Sequence, residues 1–344
     1  MKRTLLPIIM LLYAGTLFCQ AQDTRRWSEG IPDWSGFRIT EAADSASSFA
    51  SFTLLKDKKT VRTNGIVYRY MDVTGALLPY MSWVRSDSMN DAELASIQRD
   101  FDILEYYARA FREDLLFASD RNGELERKYI KLFRDAQSEA HASGDYSRYA
   151  LQREPFDISQ VSYVTSGRDH GVSVGLFTNL PLGDQGRLVY PTPGVALAFD
   201  LGRGPGRFLA EINVGASPFR RHYQGIRRKF VPYASLFVFY RREVSRLDRW
   251  RFSLYGGPGY SLRDYQEDNF KTMVGGPSAS EGVCADFFLG RSVSFTSRHP
   301  EQTDRFLQVK LSCNQLFNAK QGKIVPSINL SAGLWFQSSD IKRK

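Results

Sequence analysis

Strict two-residue alternation near the C-terminus limits this chain more than any other feature. From Ile324 to Gln337, Pro326, Ile328, Leu330, Ala332, Leu334 and Phe336 fall on one face of an extended segment. Ser327, Asn329, Ser331, Gly333 and Gln337 fall on the other, with Trp335 as the one large apolar intruder. Period two is the side-chain repeat of a β-strand with one apolar and one polar face. The preceding segment does the same, setting Leu307, Val309, Leu311 and Cys313 against Gln308, Lys310, Ser312 and Asn314. A charge such as Lys310 inside a strand needs a wet or paired environment on its side. In a transmembrane barrel that side is the lumen, and the apolar side faces lipid.

Eight such segments are predicted: 171–182, 192–203, 207–219, 230–244, 249–263, 279–297, 304–317 and 323–337. Each exceeds the roughly 9–11 residues that a tilted strand needs to cross a bilayer. Their connections alternate in length. Gly204-Pro205-Gly206, Ser245 to Asp248 and Arg298 to Thr303 are short; Gly183 to Pro191, Arg220 to Lys229 and Asp264 to Ser278 are longer, with Asn318 to Gly322 a tight exception. Short turns on one side and long loops on the other are the pattern of outer-membrane barrels, the short side being periplasmic. Beyond the N-terminus no run of 18 or more apolar residues exists, so a barrel is the spanning structure left to this sequence. By pattern, 171–337 is similar to the small eight-stranded outer-membrane barrels of the OmpA and OmpX kind.

The alternation assigns faces. Asp200, Glu211, Arg241, Arg251, Asp286 and Lys310 are expected in the lumen, paired with one another. Val195, Leu197, Phe199, Ala210, Ile212, Val214, Phe252, Leu254, Phe287 and Leu289 are expected toward lipid. Arg291 falls on the lipid side, so it requires a bulge at Gly290 or a place at the membrane interface. Cys284 falls inward and Cys313 outward, which predicts two free thiols, since side chains on opposite faces cannot be bridged. An eight-stranded interior holds side chains and little else, so these charges read as structural pairs.

The N-terminal part differs. Met1 to Ala21 reads as a secretory leader, with Lys2 and Arg3, an apolar run from Leu5 to Leu17, and Cys19-Gln20-Ala21 at the cleavage site. Residues 22–50 read as an irregular lead-in. Strands are predicted at Ser51 to Leu55, Gly65 to Met71 and Leu77 to Val84, with turns at Asn64-Gly65 and Thr74-Gly75. Leu94, Ile97, Phe101, Leu104, Ala108, Phe111 and Leu115 then repeat at helical spacing. Asn90 and Glu93 form a capping pair in front of them. A second helix spans about Gly123 to Ala142. The expected fold is thus a periplasmic α+β domain over 22–150, a linker over 151–170, a transmembrane antiparallel barrel over 171–337 and a tail over 338–344.

At the first helix the chain resembles secreted zinc-peptidase-like domains of uncharacterised function from Gram-negative bacteria, over residues 35–145. Ser82-Trp83-Val84, Phe101-Asp102-Ile103 and Ala108-Arg109 carry the resemblance. In that family the helix bears HExxH, whose two His hold zinc while the Glu activates water. Here the His positions are Ser96 and Asp100, and the general-base position is Ile97. Ser is a poor zinc ligand and Ile cannot take a proton. The resemblance therefore implies a degenerate scaffold without metal or catalysis.

A formal charge of +9, or +7 without Lys2 and Arg3, is compatible with nucleic acid. For an exported chain an acidic glycolipid surface is the more natural partner. The loop Arg220 to Lys229 holds Arg220, Arg221, Arg227, Arg228 and Lys229 and no acid, a composition suited to the phosphates of lipopolysaccharide. The function this predicts is a non-enzymatic outer-membrane barrel with a periplasmic accessory domain, serving as an envelope scaffold or as a subunit of a larger complex with an envelope protein partner, and using no cofactor. Two alternatives are an outer-membrane enzyme acting on lipid or lipopolysaccharide, with His170 or His222 near a barrel rim, and a secreted β-sandwich binding protein.

Overall fold

A computed structural model describes residues 24–31, 33–41, 46–120, 122–219, 230–264, 273–296, 299–318 and 322–344. The leader and the basic loop Arg220 to Lys229 lie outside these described residues. The chain divides into two units, the first built mainly from residues 24–161 and the second mainly from 162–344.

In the first unit, β1 (Arg25–Arg26), β2 (Arg38–Thr40), β3 (Ser48–Phe49), β4 (Phe52–Thr63), β5 (Ile66–Leu77) and β6 (Trp83–Arg85) precede α1 (Asp91–Leu115) and α2 (Glu124–Ser143). The β4–β5 turn forms as expected, with Asn64 and Gly65 both at positive φ (52° and 76°). That is the type I′ arrangement, whose twist matches the flanking strands. Asn90 caps α1, its side chain accepting from Glu93 N at 2.9 Å. The periodic apolar face of α1 is buried: Ile97, Phe101, Leu104, Ala108 and Phe111 pack with Phe133 and Ala136 of α2 and with Val73 and Leu77 of β5. Phe101 stacks on Phe52 and Phe111 on Tyr129.

Two expectations fail here for local reasons. Thr74-Gly75 is not a turn, because β5 runs straight through it. Glu105 of α1 accepts the Gly75 N–H at 2.8 Å and the Thr74 hydroxyl at 3.0 Å. A Cβ on Gly75 would stand 3.0 Å from Leu104 Cδ2, so glycine serves the close approach of helix to strand. The third predicted strand, Leu77 to Val84, is broken by a 3₁₀ turn at Pro79–Met81, leaving only the short β6. The lead-in, short in regular structure as expected, contributes to the core. Trp27, Ile31 and Phe37 are buried in the same core, and Trp27 Nε1 donates to Asp102 at 2.8 Å.

Asp72 of β5 gives this unit a pH dependence. Burial raises its pKa, but hydrogen bonds from Lys59 (2.5 Å) and Arg112 (2.9 Å) outweigh burial and hold the carboxyl below its ordinary 3.8. A depressed folded-state pKa stabilises above the unfolded value and is lost as pH falls through the folded one. Asp72→Asn should therefore lower stability at neutral pH by about 1–3 kcal/mol, with the gap to wild type closing below the ordinary carboxylate range. Urea titration followed by helical circular dichroism, which reports this helix-bearing unit, checks it; a gap constant from pH 7 to pH 3 would refute the assignment.

The second unit is a ring of eight antiparallel strands: β7 (Tyr163–Pro181), β8 (Thr192–Arg203), β9 (Gly206–Pro218), β10 (Phe230–Leu247), β11 (Trp250–Asp264), β12 (Met273–Ser294), β13 (Glu301–Asn318) and β14 (Lys323–Arg343). Each pairs with its sequence neighbour, and β14 pairs with β7 from Ser327↔Pro181 to Arg343↔Tyr163, so the sheet closes. Closure excludes the β-sandwich alternative. The strands outrun their expected bounds. β7 begins at Tyr163 within the expected linker, and β14 runs to Arg343 through the expected tail. One end of the ring carries the turns at Gly204-Pro205 and Asp248-Arg249 and the β12–β13 connection; the other carries the β7–β8 loop, with its short helix α3 (Gly183–Leu188), and the remaining connections. We call these the short-turn end and the loop end.

Candidate functional site in the barrel interior

Outward and inward faces separate cleanly along most strands. Leu176, Leu197, Phe199, Ile212, Val214, Leu236, Val238, Leu254, Leu311 and Leu330 are exposed on the outside. Aromatic residues collect toward the short-turn end of this belt, where Phe208 meets Tyr240 and Trp250 meets Phe287, with ring centroids 5.3 and 5.0 Å apart. All ten residues expected toward lipid are exposed or, for Phe287, half-exposed. A continuous apolar belt with interfacial aromatics is what a lipid-embedded barrel presents.

Inside, the charges are paired, as unscreened interior charges must be. Lys310 Nζ meets Glu211 Oε2 at 2.5 Å, and Arg241 is bound to Asp286, which is fully buried. Asn213 and Gln308 complete the acceptor sides, donating to Glu211 at 3.0 Å and to Asp286 at 2.9 Å. Asp200 receives Arg207 Nε at 3.0 Å. Arg251 lies half-buried, 3.8 Å from Asp304 and donating to Gln337 at 3.0 Å. All six charges expected in the lumen are thus inside, and two of them, Asp200 and Arg251, face Arg207 and Asp304, which lie on the same inward phase. Arg207 lies two residues before Glu211's inward neighbour Leu209, and Asp304 is in phase with Gln308 and Lys310.

Arg291 fulfils the bulge condition. The β12–β13 register shifts between Phe288 and Gly290, leaving Leu289 unpaired. This returns Arg291 to Asp304, which it grips with two bonds of 2.7 and 3.0 Å. Trp335 also loses its anomaly. It is 3% exposed, and the guanidinium carbons of Arg241 and Arg207 lie 4.6 and 5.2 Å from its ring centroid. Arg251 lies over Phe306 in the same way, at 4.3 Å. Cation–π contacts of this kind gain strength when desolvated. Farther in, Phe237, Phe239, Tyr255, Leu209 and Cys284 form an apolar cluster. Toward the loop end Arg263 donates to Asn179 and covers Tyr233. Cys284 and Cys313 are both free, the first buried and the second half-exposed.

The three positions compared with HExxH, Ser96, Ile97 and Asp100, lie on α1. Ile97 is core, and Asp100 accepts from Gln137 at 2.9 Å and sits 2.8 Å from His141 Nε2. Phe101, Ile103 and Ala108, which carry the family resemblance, are fully buried. Asp102 holds Trp27 and Gln98, and Arg109 donates to Glu105 and Gln152 O. Among the described residues no three His, Cys, Asp or Glu side chains converge as metal ligands. His170 is an exposed residue of β7, and His222 lies outside the described residues.

The second unit is a closed, eight-stranded β-barrel. No protein-family model matches the chain, and no curated protein matches it. Among solved structures, Neisserial surface protein A is 10% identical, covers 50% of this chain and 97% of its own, and gives a TM-score of 0.34. Ail, the attachment invasion locus protein of Yersinia pestis, is 9% identical over 49% of this chain and 97% of its own, also at 0.34. The N-terminal β-barrel domain of Pseudomonas aeruginosa OprF is 10% identical over 51% and 99%, at 0.28. The barrel description stands on this chain's own closure, belt and interior.

Proposed function

We propose that the protein is a non-enzymatic outer-membrane β-barrel, with the first unit as a periplasmic accessory domain, acting as an envelope scaffold or as a subunit of an outer-membrane complex. The carrying observation is the closed ring with an apolar outside and paired charges inside. Water-soluble barrels cover their outer face with polar groups, and this one leaves leucine, valine and phenylalanine there. No helix among the described residues is long and apolar enough to cross a membrane, so the strands carry the membrane reading. We further propose that residues 24–161 are periplasmic and that the basic residues Arg220 to Lys229 bind lipopolysaccharide phosphates.

The test is direct. Extracted from outer membranes in detergent, the full chain should run at one position on a gel unheated and at another after boiling, because a hydrogen-bonded ring resists the detergent until heated. Recovery in the soluble periplasmic fraction, or one mobility under both conditions, would overturn the reading.

A further inference from the structure

At the short-turn end the barrel interior opens into a cavity of about 370 Å³ beside the Gly204-Pro205 turn. Its lining is dominated by four arginines, Arg207, Arg241, Arg246 and Arg251, against two acids, Asp169 and Glu243. Both acids are already engaged. Asp169 accepts from Gln337 at 2.9 Å and from Arg207 at 3.3 Å, and Glu243 is gripped by Arg246 at 2.9 and 3.0 Å. Asp200, Asp286 and Asp304, which balance the arginines, are not part of the lining.

Two of the arginines are incompletely satisfied. Arg241 is 3% exposed; its Nη2 serves Asp286 and Ser253, yet its buried Nη1 finds no hydrogen-bond partner among the described residues. A buried guanidinium N–H left without an acceptor is costly, and a water or an anion beside it would meet that need. Arg251 is loosely held as well, because Arg291 already takes both oxygens of Asp304 and leaves Arg251 3.8 Å away. The indole of Trp335 forms an apolar wall that keeps the Arg241 and Arg207 guanidiniums in place.

We propose that this cavity is an anion site for a phosphate group, with Arg251 as its principal donor and the buried Arg241 guanidinium adding its charge. Planar guanidinium forks match oxyanions in two-bond geometry, and a tetrahedral phosphate accepts from donors arriving on different strands at once. The volume suits a phosphate with a small substituent and is at the lower end of small-molecule sites. The site does not depend on which membrane holds the barrel.

The full chain in non-ionic detergent, titrated calorimetrically with inorganic phosphate and separately with short-chain phosphatidic acid, tests the site and distinguishes free phosphate from a lipid headgroup. Saturable binding of either supports it, provided Arg251→Gln weakens that binding by about tenfold or more, as losing a charge-assisted contact requires. Arg251 is half-buried, so this variant should fold, and the unheated gel mobility confirms that it has. Arg242→Gln, an exposed change on the same strand as Arg241, should leave binding unchanged. Binding of neither ligand overturns the proposal, as does binding that Arg251→Gln and Arg242→Gln reduce equally.

Discussion

Lys310→Met should destabilise the barrel by about 3–5 kcal/mol, the cost of stranding a buried carboxylate. Lys310 and Glu211 are both nearly inaccessible and meet at 2.5 Å across the lumen. Among the described residues the other hydrogen-bond donor to Glu211 is the neutral amide of Asn213 at 3.0 Å, too little to replace a cation. Glu211→Gln added to Lys310→Met should return most of the loss, since the charge that needed a partner is gone. Glu211→Leu with Lys310→Met should come within about 1 kcal/mol of wild type, because replacing a buried pair by apolar groups of similar volume is often neutral. Urea midpoints of the refolded protein in lipid vesicles measure all three. Equal loss in the single and double variants would mean that Lys310 contributes by packing its methylene stem and not by pairing.

How much of this was legible in the sequence varies with how local the cause is. Strands β13 and β14 could be read almost residue by residue, because polar interior and apolar exterior alternate there apart from inward Phe306, Leu316 and Trp335. Strand β10 could not, since Phe237 and Phe239 turn inward opposite outward Leu236 and Val238, leaving apolar residues on both faces and no contrast to read. Arg291 broke the pattern, and the break itself located the bulge. Trp335 broke it too, but its explanation lies in Arg207 and Arg241 on strands far away in sequence, which nothing near Trp335 announces. Thr74-Gly75 carried turn chemistry that a helix thirty residues later puts to a different use, through Glu105 and Leu104. The zinc-peptidase resemblance rested on Ser82-Trp83-Val84, Phe101-Asp102-Ile103 and Ala108-Arg109, and of these Phe101, Ile103 and Ala108 are also what a helix burying this face needs. The cavity at the short-turn end was illegible as a site, although Arg241 and Arg251 were each placed inward, because it depends on which arginine Asp304 prefers.

Leu197→Arg should cost about 2–4 kcal/mol, while Phe208→Arg should cost only about 0–1 kcal/mol, if lipid surrounds the belt. Leu197 lies in the middle of β8, pairs with Val174 and Ile212, and points outward among apolar neighbours. An arginine there must lose its hydration at the bilayer centre or drag water and headgroups inward. Phe208 also points outward, but it lies two residues from the start of β9, beside the Gly204-Pro205 turn and against Tyr240. An arginine at that height reaches the headgroup layer. The two positions are similarly exposed, at 43% and 64%, so burial by protein predicts no large difference between them. Depth in a bilayer does. In water either substitution would fall within about 0.5 kcal/mol, as surface changes usually do. Urea titrations in vesicles of defined thickness give both values, and Leu197→Ala separates lost packing from added charge. A steep contrast between Leu197→Arg and Phe208→Arg would place the belt in hydrocarbon; two small and equal effects would place it in water and remove the membrane from this protein's function.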